Sequence, residues 1–120
     1  MIHSAKVIKG NQLGREIGFP TINLSLDKLN MDISYGVYAA YVFIGSKKML
    51  AAMHYGPKKS VDNIVSLEFH ILNFDDFSLS LDTLDFEVLD FIRSLLKFSS
   101  LKDLQKQIKL DLLQIRSLYE

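Results

Sequence analysis

The sequence predicts a mainly β fold closed by one C-terminal helix: an antiparallel barrel or sandwich with the helix laid across it. Three observations carry that prediction. Up to about residue 91, short runs rich in β-branched and aromatic residues alternate with turn-forming residues. From Leu101 the apolar period changes to three and four. A chain of 120 residues, 48% hydrophobic and 11% aromatic, has enough apolar surface for one core, and no repeat or proline-rich linker divides it. Strands first and a helix last suit an antiparallel sheet folded on itself.

The strand candidates are Ser4 to Lys9, Thr21 to Leu24, Gly36 to Ile44, Met49 to Tyr55, Ile64 to Leu72 and Leu79 to Phe91. Gly45-Ser46 marks a hairpin, Gly56-Pro57 a turn, and Asn73 to Ser78 an acidic loop. Alternation in Ile64 to Leu72 sends Val65, Leu67, Phe69 and Ile71 to a core face, and Ser66, Glu68 and His70 to the other. In the final segment, Leu101, Leu104, Ile108, Leu112, Ile115 and Leu118 form one helical stripe, with Lys102, Gln105, Lys109 and Arg116 largely off it. Ser100, followed by Asp103, is a candidate N-cap.

Composition removes several functions. Fourteen basic and fourteen acidic residues cancel, so no net field draws the chain to nucleic acid or to an anionic membrane, and neither is expected as a partner. The absence of cysteine excludes disulfides, thiolate zinc sites and a cysteine nucleophile, and suits a reducing compartment. The N-terminus MIHSAKVIKG has no apolar stretch of signal-peptide length, nowhere do eighteen apolar residues run together, and a cytoplasmic location is expected.

The chemistry points to GREIGFPTIN, Gly14 to Asn23. Gly14 and Gly18 allow close backbone approach, Pro20 fixes φ and biases Phe19 toward extended geometry, and Thr21 and Asn23 then share one side of a strand. A hydroxyl and an amide on one face resemble a phosphate and metal site; the alternative is an ordinary turn into a strand. Further along, SLEFHILNF (Ser66 to Phe74) carries one acid, Glu68, in an apolar run. On the strand pattern alone, Glu68 reads as a solvated glutamate.

In order and nearly end to end, GREIGFPTIN, the GVYAAYV strand from Gly36, SLEFHILNFDDF, IRSLLKFSS from Ile92 and LKDLQKQIKLD from Leu101 resemble the riboflavin kinase domain of bacterial flavin-synthesising enzymes. The resemblance implies a small Greek-key antiparallel β-barrel with a C-terminal α-helix packed across it. It implies a kinase that moves the γ-phosphate of ATP to the 5′-hydroxyl of riboflavin, giving FMN and ADP with Mg²⁺ or another divalent cation. Glu68 is then the catalytic base, Thr21 and Asn23 the metal and phosphate contacts, and Arg93 a boundary of the flavin and nucleotide region, the alternative being a solvated or paired surface group. Lys9, Gly10, Gly14, Arg15 and Gly18, ahead of the fixed Pro20, would form a flap over the ATP phosphates. No GxxxxGK[ST], GxGxxG or HExxH is present.

The remaining polar residues read as structural. His54 and His70 have no third ligand at a credible spacing and are taken as ordinary strand positions outside catalysis. Lys58, Lys59, Asp75 and Asp76 read as turn residues. The chain departs from the family pattern at Ile22, which replaces an alanine but faces away from Thr21 and Asn23. It departs again at His54 to Ser60 and at Asp76 to Leu79, where the usual turn glycine is missing. Residues 1–120 are read as a single kinase domain, a monomer, with no FAD synthesis expected. The alternatives are a catalytically degenerate flavin- or nucleotide-binding module and a barrel that serves only as an interaction domain.

Overall fold

A computed structural model describes residues 1–8, 21–57, 64–72 and 81–120. These form the strands β1 (Ile2–Ile8), β2 (Thr21–Leu24), β3 (Gly36–Ile44), β4 (Lys47–Pro57), β5 (Val65–Ile71) and β6 (Thr83–Arg93), followed by helix α1 (Leu101–Tyr119). The strands close a barrel in the order β1-β2-β5-β4-β3-β6, with every pairing antiparallel. β3, β4 and β5 are consecutive neighbours, and the long β2–β3 connection carries the chain from β2, paired with β5, across to β3, which is the Greek-key arrangement. Closure leaves no free sheet edge among these strands.

Alternation sorts the apolar residues into two layers. Inside the barrel lie Ile22, Leu24, Val42, Met53, Leu67, Phe69, Ile71, Leu84 and Phe86, with the Phe69 and Phe86 rings 4.9 Å apart. Leu29, Met31 and Ile33 of the β2–β3 connection pack against this cluster. Outside the barrel, Val37, Ala39, Leu50 and Ala52 meet Ile108, Leu112 and Ile115 of α1. The two alanines let the helix backbone approach the sheet. Each of the three helix side chains contributes roughly 1.5–3 kcal/mol of burial.

Local devices hold these elements. Gly45, at φ 60°, takes the first position of the two-residue β3–β4 turn, where a side chain would be strained. Ser100 caps α1 by accepting from the Asp103 backbone N–H at 3.1 Å. β6 is irregular against β3: Val37 faces Arg93, Tyr38 faces Phe91 and Ala40 faces Val88. The resulting bulges turn Ile92 to the outer layer, although strict alternation from Phe86 would send it inward.

Gly36 sits against that irregular stretch. A Cβ there would lie 2.4 Å from Phe91 Cε2 and 3.0 Å from the Arg93 carbonyl oxygen. The half-exposed Phe91 ring can swing aside; the carbonyl cannot move without disturbing the ladder. Gly36→Ala is therefore expected to cost about 1–2 kcal/mol, read as a lower urea midpoint. An unchanged midpoint would mean that the β3–β6 contact yields freely.

Two expectations need correction. Gly56-Pro57 is not a turn: β4 continues through both, with Gly56 opposite Ser66 and Pro57 opposite Val65. Gly56, at φ 151°, stays in the strand because it packs against Leu95 and Tyr35, where a Cβ would lie 2.5 Å from Leu95 Cδ1. Leu101 and Leu118 of the expected helical stripe are exposed. The packed layer is centred on Ile108, Leu112 and Ile115, with Leu104 and Tyr119 at its margin.

Candidate functional site

Directly opposed residues in an antiparallel ladder share a face, so the register alone assembles a polar row on the outside of the barrel. Asn23 of β2 faces Glu68 of β5, Glu68 faces His54 of β4, His54 faces Val37 of β3, and Val37 faces Arg93 of β6. One step along, Thr21 faces His70, which faces Ala52. Ile22 and Phe69 point the other way, into the barrel core. The parity expected for Thr21, Ile22, Asn23 and Glu68 is thus observed, and the added bulk of Ile22 lies in the interior.

His70 joins the two halves of this row. Its Nδ1 is 3.3 Å from Thr21 Oγ1, and its Nε2 is 3.4 Å from Glu68 Oε1. The residue is 7% exposed, Asn23 is buried, and the Glu68 side chain keeps 16% exposure. Glu68 is therefore not an ordinary solvated strand glutamate.

Arg93 is anchored rather than solvated. Its Nε and Nη2 donate to Asp111 Oδ1 and Oδ2 of α1, both at 2.8 Å, and its Nη1 donates to the Ser94 carbonyl at 3.1 Å. Gln107 Nε2 also donates to Asp111 Oδ1, at 3.0 Å. Asp111 is 3% exposed, and the planar bidentate fork ties the helix to the end of β6 beside the polar row. Arg93 is thus paired, at the end of β6 beside the polar row.

Burial disfavours the charged form of both imidazoles. Burial pushes the His70 pKa down to about 4; Asp111 opposes that shift and Arg93 adds to it. His54 is also lowered, first by burial, with Glu68 opposing and His70 and Arg93 reinforcing. An unfolded histidine titrates near 6.5, so between about pH 6.5 and about pH 4 the unfolded chain takes up protons that the folded chain refuses. Stability should therefore fall as pH drops through that window. Urea unfolding across it should give a shallower dependence for His70→Gln than for the wild type; identical slopes would place the proton uptake elsewhere.

Sequence reading passed over three residues of this neighbourhood: His54, His70 and Asp111. The two histidines, set aside as ordinary strand positions, line the polar row, because register joins β2, β5 and β4 on one face. The signal for Asp111 was its position inside the helical stripe, three residues after Ile108 and four before Ile115. Lys9, Gly10, Gly14, Arg15, Gly18 and Pro20 lie outside the described residues, as do Lys58, Lys59 and the segment from Asp75 to Leu79.

The donor chemistry fits a hard divalent cation. Thr21 and Asn23 offer neutral oxygens two residues apart on one face, with the Glu68 carboxylate opposite Asn23. Among the described residues no cluster of three or more His, Cys, Asp or Glu forms a metal cage. Mg²⁺ does not need one, since it is usually held by few protein oxygens together with phosphate and water.

Comparison with known proteins identifies the family. The family model for riboflavin kinase matches residues 1–119. A bifunctional riboflavin kinase/FMN adenylyltransferase of Buchnera aphidicola is 34% identical over 113 residues, covering 91% of this chain and 36% of the relative. The RNA-binding riboflavin kinase RibR of Bacillus subtilis is 32% identical, covering 99% of this chain and 51% of its own length. A crystal structure described as a macrolide-efflux protein from Streptococcus pneumoniae superposes with a TM-score of 0.80 at 32% identity, over 96% of this chain and 38% of that one. The chain thus spans between about a third and a half of the length of these proteins. With the barrel, the ordered motifs and the family match in agreement, the chain belongs to the riboflavin kinase family.

Proposed function

We propose that this chain is an ATP-dependent riboflavin kinase, which transfers the γ-phosphoryl group of ATP to the 5′-hydroxyl of the ribityl chain and yields FMN and ADP. The observation that carries the reading is the convergence of Thr21, Asn23 and Glu68 on one outward face of β2 and β5, in a chain of that family. In the reaction a bond forms between the ribityl oxygen and the γ-phosphorus while the bond to the β-phosphate oxygen breaks. The hydroxyl proton goes to Glu68, which needs only to lie beside the acceptor oxygen. Thr21 and Asn23 would hold Mg²⁺, which when bound neutralises the phosphate charge. The glycine-rich segment before Pro20, with Lys9 and Arg15, would cover the phosphates. We assign residues 1–120 to one kinase domain acting as a monomer in the cytoplasm, with riboflavin and ATP as its partners.

Incubation with riboflavin, ATP and Mg²⁺, with chromatographic detection of flavins, tests the assignment. FMN should accumulate in the presence of all three and in the absence of none. Riboflavin binding without FMN would leave a flavin-binding module in place of the enzyme.

A further inference from the structure

A buried ion pair adds little net stability, since apolar side chains of similar volume often serve as well. What it does add is geometry. On α1, Asp111 stands among Ile108, Leu112 and Ile115, which pack the helix on the barrel, and Gln107 Nε2 donates to its Oδ1 at 3.0 Å. The buried carboxylate is thus fixed from its own helix. Arg93 meets it with Nε and Nη2, both at 2.8 Å, while Nη1 donates to the Ser94 carbonyl at 3.1 Å. A guanidinium has five N–H groups; taking away these three leaves two, one on Nη1 and one on Nη2, with no acceptor among the described residues. The Phe98 ring, its centroid 6.0 Å from the guanidinium carbon, flanks the group on one side. Of the two partners, the cation is the one that reaches solvent.

Order along the ladder decides which substrate those donors meet. Thr21 and Asn23 on β2 lie to one side of Glu68, and Arg93 on β6 lies to the other, beyond His54 and Val37. In phosphoryl transfer the attacking and leaving oxygens stand in line on opposite sides of the phosphorus. With the nucleotide phosphates at Thr21 and Asn23 and the acceptor hydroxyl at Glu68, the body of the acceptor lies on the Arg93 side. We infer that Asp111 is a positioning residue for riboflavin: it clamps the Arg93 guanidinium so that the two remaining N–H groups meet an oxygen of the flavin away from its reacting hydroxyl. The side from which the flavin enters rests on the kinase reading. A contact with the body of the substrate is made alike in the ground state and the transition state, so its loss raises KM and spares kcat.

The test is a double-mutant cycle on Asp111→Asn and Arg93→Lys, read as riboflavin affinity from the quenching of flavin fluorescence with Mg²⁺ and ADP present. Asp111→Asn keeps the shape of the side chain but turns an amide N–H toward the guanidinium. It should weaken riboflavin binding by about 10–100-fold, the loss of a hydrogen bond to a charged group, and raise the riboflavin KM to match. The ATP KM should stay within about twofold and kcat within about threefold. Arg93→Lys cannot form the fork and should weaken binding comparably. Adding Asp111→Asn to it should cost less than about threefold more, because nothing is left to position. A folded Asp111→Asn with wild-type affinity, or two effects that multiply in the double variant, overturns the inference. If Asp111→Asn does not fold, Asp111→Glu takes its place: it keeps the counter-charge but shifts it by one methylene, and should raise the riboflavin KM by about threefold or more, an unchanged KM overturning the inference. A wild type that binds riboflavin but makes no FMN refutes the kinase reading while the affinities still decide the role of Asp111, so the two failures are distinguishable.

Discussion

Glu68→Gln is expected to leave riboflavin and nucleotide binding within a few-fold of wild type and to lower turnover by roughly two to four orders of magnitude. The substitution keeps the length and shape of the side chain and removes only its ability to take a proton. Glu68 sits opposite both Asn23 and His54 in the ladder, so the backbone holds its position whatever the side chain. Its parity places Leu67 and Phe69 inward, so the apolar packing of β5 inside the barrel is carried by those residues and not by the carboxylate. Calorimetric titration with riboflavin and stopped-time FMN assays separate binding from turnover. Turnover near the wild-type level would remove Glu68 from the mechanism.

Asp111→Ala should be the most damaging of the stability changes considered, at about 3 kcal/mol. Asp111 accepts two bonds from Arg93 and one from Gln107 while almost wholly buried. Its removal leaves a guanidinium with a carboxylate-sized gap and no counter-charge, a change that typically costs about 3–5 kcal/mol in a buried pair. The 16% exposure of the Arg93 side chain lets water offset part of that cost and puts the estimate at the lower end. A loss of this size lowers the melting temperature by roughly 10 °C or more for a domain of this length. The double variant Arg93→Met with Asp111→Leu should return to within about 1 kcal/mol of wild type, since apolar replacement of both members is often neutral or favourable. If the double variant is as unstable as the single one, the link between β6 and α1 depends on more than compensating charge. Urea unfolding with an unchanged m-value makes the comparison valid.

The barrel was largely legible in the sequence because its strands alternate cleanly. Leu67, Phe69 and Ile71 point inward as their period requires, Gly45 turns the β3–β4 hairpin, and Ser100 caps the helix. Period, however, assigns a face and not a neighbour. Nothing local in Thr21 to Leu24 says that it pairs with β5 rather than with β3; the choice depends on closure of the whole barrel and on the long connection whose Leu29, Met31 and Ile33 pack against the core. The positions of His54 and His70 in the polar row follow from that non-local register, and without it they look like isolated strand histidines. The motif order identified Thr21, Asn23 and Glu68 as candidates, whereas composition and spacing alone left each with an ordinary structural explanation. Gly56-Pro57 misled because those residues usually end strands, and here Gly56 is kept extended by close contact with Leu95 and Tyr35. Asp111 carries a charge of the kind that usually faces solvent on a helix. Its position three residues from Ile108 and four from Ile115 puts it in the packed stripe, where Arg93 reaches it.

The most direct test of the central claim follows the phosphoryl group itself. The protein is supplied with riboflavin, Mg²⁺ and ATP labelled at the γ-phosphate, and the label is traced through separated flavins and nucleotides alongside Glu68→Gln. The account predicts label in FMN in equal amount to the ADP formed, and almost none transferred by the Glu68 variant. ADP with the label released as free phosphate, or an unlabelled flavin pool beside intact ATP, would contradict it.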